Sequence, residues 1–388
     1  NQGSFLNMIS IRRGQISGVD NDQEVEDIDL FQKHVANRFA ELLEATDTSP
    51  ENNNEQHLSI DWFRNLLDIF LCCEAEFKAV LILGRDPCQF SKPPLDRLIP
   101  DLLDRNVKAL DVCNAVANGA DLLRQWQKLA EVAVNSLNQK PIGEGQVRRA
   151  RKALATLLTS MAAEDRDNTP HGGKSTERNW SIGRRSGNNK DRQPLNFKPL
   201  SFPVGKAWSA AKQINGMSTN LVVPRGAEAT GPAVPVYMMS TILVFVMWAL
   251  VAAIPCQERN GLPNHLPLPK QLSWAQPMSS LQEKIGEEWK KKEKKGRAGL
   301  LEEIQRMEKA AQSLIEFADS FVFPLEEEKG VEVRAQVEEL GEICRKMDVG
   351  LGPLQQQIRE LFQKMVRSRG EILDVVDQAN KSSAPVPY

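Results

Sequence analysis

The residues able to carry chemistry are few and scattered. His171-Gly172-Gly173-Lys174-Ser175 ends like a phosphate-binding loop. The full pattern needs a glycine five residues before Gly173, where Asn168 stands, and a strand ahead of it, where a helix ends. Nucleotide binding is therefore rejected. The six cysteines (72, 73, 88, 113, 256 and 344) form no C-x-x-C pair and follow no regular spacing, so neither a disulfide framework nor a zinc site is expected. Cys72-Cys73 falls inside an amphipathic helix, one thiol in the core and one at its boundary, as inert as most structural cysteines. His34 and His57 lack a partner at ligand spacing and read as surface residues. No cluster of His, Cys and carboxylate occurs at chemical spacing, so no catalytic, cofactor-binding or metal-ligating residue is nominated and an enzyme is disfavoured.

The best candidate for function is a basic middle. From Lys174 to Arg225 there are ten Lys or Arg against two acids, with Trp180 and Trp208 interleaved. Ser181 and Ser186 stand in basophilic contexts, after Arg178 and after Arg184-Arg185. A phosphate on either would add about −1.5 to −2 charge and cancel part of the patch. Trp180, Arg184, Arg185, Lys206, Trp208 and Lys212 are the candidate contacts with an anionic membrane or a protein partner. The bland alternative, a solvated linker with incidental serines, stays open. Lys290–Lys295 reads as a solvated helix face diluted by Glu287, Glu288 and Glu293. Attraction to anionic lipid there is the lesser reading.

These residues sit on a chain built of helices. Of 388 residues, 41% are hydrophobic and 26% charged, which is ordinary for a globular protein. Lys and Arg number 49 against 51 acids, a net charge of −2 that fits no nucleic-acid coat. Ile28, Phe31, Val35, Phe39 and Leu42 follow one helical face, as do Phe63, Leu66, Phe70, Phe77 and Val80. Asp101–Asn138 sustains the pattern, with Gly119 its weak point at about 1 kcal/mol relative to Ala. A second helical run covers 144–163, after Pro141 and Gly143. Beyond 298, three runs repeat a 4,3 spacing, with Ile304 and Leu361 among the positions expected to be buried. Pro324 and the Gly-Pro sequence of 348–353 are expected to turn these runs into antiparallel helices.

Residues 236–254 are 19 in number and carry no charge. At about 1.5 Å per residue they would cross roughly 28 Å, close to a bilayer core. The flanking charges balance, so no orientation is set. Insertion would carry the C-terminal helices across a membrane, where only a lumenal end could use the Asn380-Lys381-Ser382 sequon. The pattern therefore favours a buried central helix through Val236, Leu243, Phe245, Trp248, Leu250 and Ile254, with a single-pass anchor as the alternative.

Several blocks carry a resemblance: DLFQKHVANRFAELL (29–43), FLCCEAEFKAVL (70–81), PPLDRLIPDLLDRNVKALDVCNAVANG (93–119), RQWQKLAEVAV (124–134) and TILVFVMWALVAAIPCQ (241–257). Together they resemble the plant BYPASS-related, or ROH-like, family over nearly the whole chain. The resemblance implies a non-enzymatic regulator of plant growth, linked to a mobile root signal and, for some members, to the exocyst tether of secretion. It implies no catalytic residue.

The expected protein is all-α, with a flexible N-terminus (1–23), a helical bundle (24–163) and a disordered basic linker (164–233). One very apolar helix (234–258) and a heptad-patterned bundle (259–388) complete it. No cofactor is expected. Protein partners, exocyst subunits among them, and an anionic membrane are the expected contacts, with no nucleic acid. Residues 1–20 hold no secretory signal, so the expected location is cytoplasmic and in part membrane-associated.

Overall fold

A computed structural model describes residues 7, 9, 21–47, 58–83, 85–166, 208–256, 259, 261–295, 299–322 and 327–382. Among them nine α-helices form and no strand. In chain order they are α1 (Asn21–Asp47), α2 (Ile60–Ile82), α3 (Leu95–Leu137), α4 (Glu144–Arg166), α5 (Ala210–Ser218), α6 (Ala233–Ala253), α7 (Gln276–Lys295), α8 (Glu302–Asp319) and α9 (Glu327–Ser382).

The apolar stripes read from the sequence are the buried faces. Phe31, Val35 and Phe39 of α1 and Phe63, Leu66 and Phe70 of α2 are at most 1% exposed. Ser59 begins α2 as its cap, its side chain accepting from the Trp62 backbone N–H. α3 starts earlier than the pattern from Asp101 suggests, because Leu95 and Ile99 are buried ahead of Pro100. Pro100 frees the carbonyl of Asp96, an exposed residue that water can reach, so the helix runs through it. α4 lies along α3, with Trp126 donating from Nε1 to Ser160 at 2.9 Å.

Helix α6 occupies the centre, in contact with α1, α2, α3, α5 and α7. All of its residues are buried. Its Phe245 ring meets Phe39 of α1 edge-on at 5.8 Å and Trp248 at 6.1 Å. Thr241 donates to the Tyr237 carbonyl and Trp248 Nε1 to the Pro263 carbonyl, so the polar atoms of these two side chains are satisfied. Gly119 has a positive role. A Cβ there would come within 2.0 Å of the Pro255 carbonyl oxygen and 2.8 Å of Ile254 Cγ2, so its absence lets α3 pass the end of α6.

The expected turn at 348–353 does not form. α9 is one helix of 56 residues, about 84 Å long, through Gly350, Gly352 and Pro353. Gly350 faces Ile60 of α2, where a Cβ would sit 2.9 Å from Cγ2, so glycine here serves close packing. Pro353 frees the carbonyl of Val349, which is 74% exposed and within reach of water. The heptad positions behave as read: Ile304 is 1% and Leu361 0% exposed. Gln355 ties α9 to α3, accepting from Arg124 Nε at 2.8 Å and donating to Asp121 at 2.7 Å. Helices from both ends of the chain, from Ile28 to Ile372, share one contiguous core.

Residues 167–207 lie outside the described residues. The last part of the composition-defined linker is packed: Ala210, Ala211, Ile214 and Met217 of α5 are buried. Arg105 of α3 holds the end of α5, donating to the carbonyls of Met217 at 2.9 Å and Thr219 at 2.8 Å. A carbonyl-rich helix end suits a buried guanidinium.

Candidate functional site

Packing assembles a charge cluster that local spacing does not reveal. Helix α1 brings His34 and Arg38, one turn apart, against Cys72, Cys73 and Glu76 of α2. The Glu76 side chain is 0% exposed. Arg38 grips it with both nitrogens, Nη1 to Oε2 at 3.0 Å and Nη2 to Oε1 at 2.6 Å. His34 Nδ1 lies 3.3 Å from each carboxylate oxygen. His34 is thus a partner of a buried carboxylate and not the free surface residue its sequence context suggests.

Burial works against the Arg38 charge, but the hydrogen bond to Glu76 and the nearby acidic groups, Cys73, Glu76 and Cys72, outweigh it as they ionise and push its pKa above the ordinary range. Burial lifts the Cys73 thiol to about 12, only partly opposed by Arg38, and lifts Cys72 in the same direction. A thiol so placed is protonated at neutral pH and makes a poor nucleophile. With both carboxylate oxygens engaged, the cluster acts as a pin between α1 and α2. The Arg85–Glu24 ion pair adds a second tie, from the segment after α2 to the first turn of α1. Arg85 also donates to the Leu81 carbonyl at 2.9 Å.

A third buried charge joins the starts of two helices. Glu303, in the first turn of α8, accepts from the backbone N–H of Ile60 at 3.1 Å. Beside it Leu58 and Leu301 form an isolated parallel bridge, and the Glu302 N–H donates to the Leu58 carbonyl at 3.0 Å. Burial raises the Glu303 carboxyl to about 7, against the pull of the backbone N–H groups of Glu303 itself and Ile60.

Of the basic patch, Trp180, Ser181, Arg184, Arg185, Ser186 and Lys206 lie outside the described residues. Trp208 and Lys212 diverge: Trp208 is half-buried against the core and Lys212 is exposed. The Lys290–Lys295 run is not a uniform solvated face. Trp289 is 2% exposed, Lys292 Nζ lies 4.7 Å from its ring centre, and the Arg259 guanidinium lies 5.7 Å from it. Lys292 is therefore folded over an aromatic ring, while Lys290 and Lys291 are exposed. Val236, Leu243, Phe245, Trp248, Leu250 and Ile254 are each at most 1% exposed. The helix that carries the first five has the length and apolarity to cross a membrane, with a mean hydropathy of 2.2 over 18 residues, yet every residue of it is enclosed. Among the described residues no group of three or more His, Cys, Asp or Glu is placed to hold a metal ion.

Three comparisons bear on this arrangement. Residues 1–376 match the family described as "Protein ROH1-like". The chain is 55% identical over 408 aligned residues to Protein ROH1A of Arabidopsis thaliana, covering 100% of this chain and 98% of that protein. It is 43% identical over 363 residues to Protein ROH1D of the same plant, covering 91% of this chain and 89% of the relative. No solved structure matches it.

Proposed function

Because the chain belongs to the ROH1-like family, we propose that it is a non-enzymatic regulatory adaptor of plant growth and secretion that works through protein contacts. One observation carries the reading: three buried ionisable groups serve as ties between helices. Glu76 is held by Arg38 and His34, Glu303 by the start of α2, and Arg105 by the end of α5. With α6 enclosed, the outer helix faces are left to meet partners. Exocyst subunits and the control of a mobile root signal are the partner and process that the BYPASS-related resemblance implies. The proposed location is cytoplasmic, with reversible membrane association through the basic segment that includes Trp180, Arg184 and Arg185.

The test uses purified full-length chain and individually purified exocyst subunits in equilibrium binding. Saturable binding to a subunit, weakened by phosphomimetic Ser181 and Ser186, supports the adaptor reading. Absence of binding to every subunit refutes the exocyst assignment. A single-pass anchor through α6 is the second reading, favoured by the charge-free composition of its 21 residues. In that reading α6 would leave the core, and the chain could not be purified without detergent.

A further inference from the structure

The first half of α4 turns a basic face to solvent. Val147, Ala150, Leu154 and Leu157 occupy its inner side, at most 4% exposed, so Arg148, Arg149, Arg151 and Lys152 must point outward, and all four are exposed. Arg148 and Lys152 stand one turn apart, with Arg149 and Arg151 to either side, an arc of about 160°. Glu144 pairs with Arg148 at 2.6 Å, and Asp319 pairs with Arg151. Arg149 and Lys152 have no acidic partner within ion-pair distance among the described residues.

The Arg151–Asp319 pair also fixes what adjoins this face. Asp319 is the last residue of α8, and three positions on Val322 is 74% exposed. Just before it Phe321, half-buried, meets Phe317 edge-on at 5.7 Å, a firm base for the residue that follows. A single exposed valine is ordinary on any surface. An exposed apolar tip beside an unbalanced basic arc is a different matter, because the two together meet the two layers of a bilayer surface: anionic headgroups and the acyl boundary beneath them.

We propose that the Arg148–Lys152 face of α4, with Val322 at its edge, is a peripheral docking surface for an anionic lipid bilayer. The arc is convex, which suits a broad charged surface better than the enclosed contacts a peptide ligand would need. The contact leaves α6 in the core and is separate from the protein contacts proposed above. Each basic residue near a charged membrane contributes about a fivefold change in partition.

The test is co-sedimentation of the full chain with phosphatidylcholine vesicles, with and without about 30% phosphatidylserine, at low and high salt. The doubly reversed Arg149→Glu/Lys152→Glu chain removes the two charges without an acidic partner and leaves both ion pairs intact. Its helical circular dichroism should be unchanged and its partition into anionic vesicles lower by about 25-fold or more. Val322→Asp should also lower partition, whereas Val349→Asp, equally exposed on α9, should not. Three results would overturn the proposal. The first is binding with no preference for phosphatidylserine. The second is a double reversal that leaves binding unchanged, which assigns it to the 174–225 segment. The third is equal behaviour of Val322→Asp and Val349→Asp, which would remove the apolar contact at Val322 on which the bilayer assignment depends.

Discussion

Glu303→Gln isolates the clasp between the starts of α2 and α8. Folding buries the carboxylate and raises its pKa from the ordinary 4.5 to about 7. The folded chain therefore holds this proton more tightly than the unfolded chain. Its contribution is fully present below about pH 4.5 and is lost as pH rises through about 7. At about 1.4 kcal/mol per pH decade, that interval amounts to about 3 kcal/mol. The charged neighbours are Glu302 and Asp61, which oppose ionisation and are themselves engaged by Arg306 and Arg64. Glutamine keeps an oxygen for the Ile60 N–H and carries no charge. The two chains are compared by denaturant unfolding from about pH 4.5 to about pH 8.5, reading only the difference so that other titrating groups cancel. The variant should gain about 3 kcal/mol relative to the unsubstituted chain across that range. A difference independent of pH would show that burial does not raise the Glu303 carboxyl. A difference of opposite sign would show that the α2 N-terminus outweighs burial and favours the ionised form.

Other expected outcomes follow from the same packing. Gly119→Ala should lower stability by about 1–3 kcal/mol in spite of better helix propensity, because its Cβ meets the Pro255 carbonyl. Gly370→Ala in α9, with nothing within 4 Å of the new Cβ, should instead raise it by up to about 1 kcal/mol, both read by denaturant unfolding. Leu361→Ala should destabilise by about 2–5 kcal/mol, and unchanged stability would place that face against solvent. Alkylation followed by mass spectrometry should mark the half-buried Cys72 and Cys88 in the native chain. Cys73, Cys113 and Cys344, each pushed to about 12 chiefly by burial, should react only after unfolding.

The all-helical class is legible because the stripes through Phe31–Phe39, Phe63–Val80 and Leu354–Ile372 are strictly periodic and lie in the core. The enclosed nature of α6 is legible for a related reason, since a helix apolar on every side needs a partner on every side. Continuity of α9 is not. Gly350 and Pro353 are local breakers, and only contact with Ile60 and the solvent access of Val349 show why the helix persists. Gly119 reads as a weakness for the same reason, since its value lies in a neighbour 136 positions away. The Glu76 cluster escapes a local reading because its acid lies 38 residues from Arg38 and 42 from His34, beyond any spacing rule. A paired His and Arg at i and i+4, bordering the buried Val35 and Phe39, is its only trace in the sequence.

The proposed function requires α6 to stay in the helical core and out of the membrane. Carbonate washing of membranes from plant cells expressing the full chain tests this. Such a wash strips surface-bound proteins and leaves spanning ones in place. An enclosed α6 requires the chain to appear in the wash, including any fraction held on membranes by basic surfaces. Retention of the chain in the washed membranes would place α6 in the bilayer, and glycan on Asn380 in that retained fraction would establish a lumenal C-terminus.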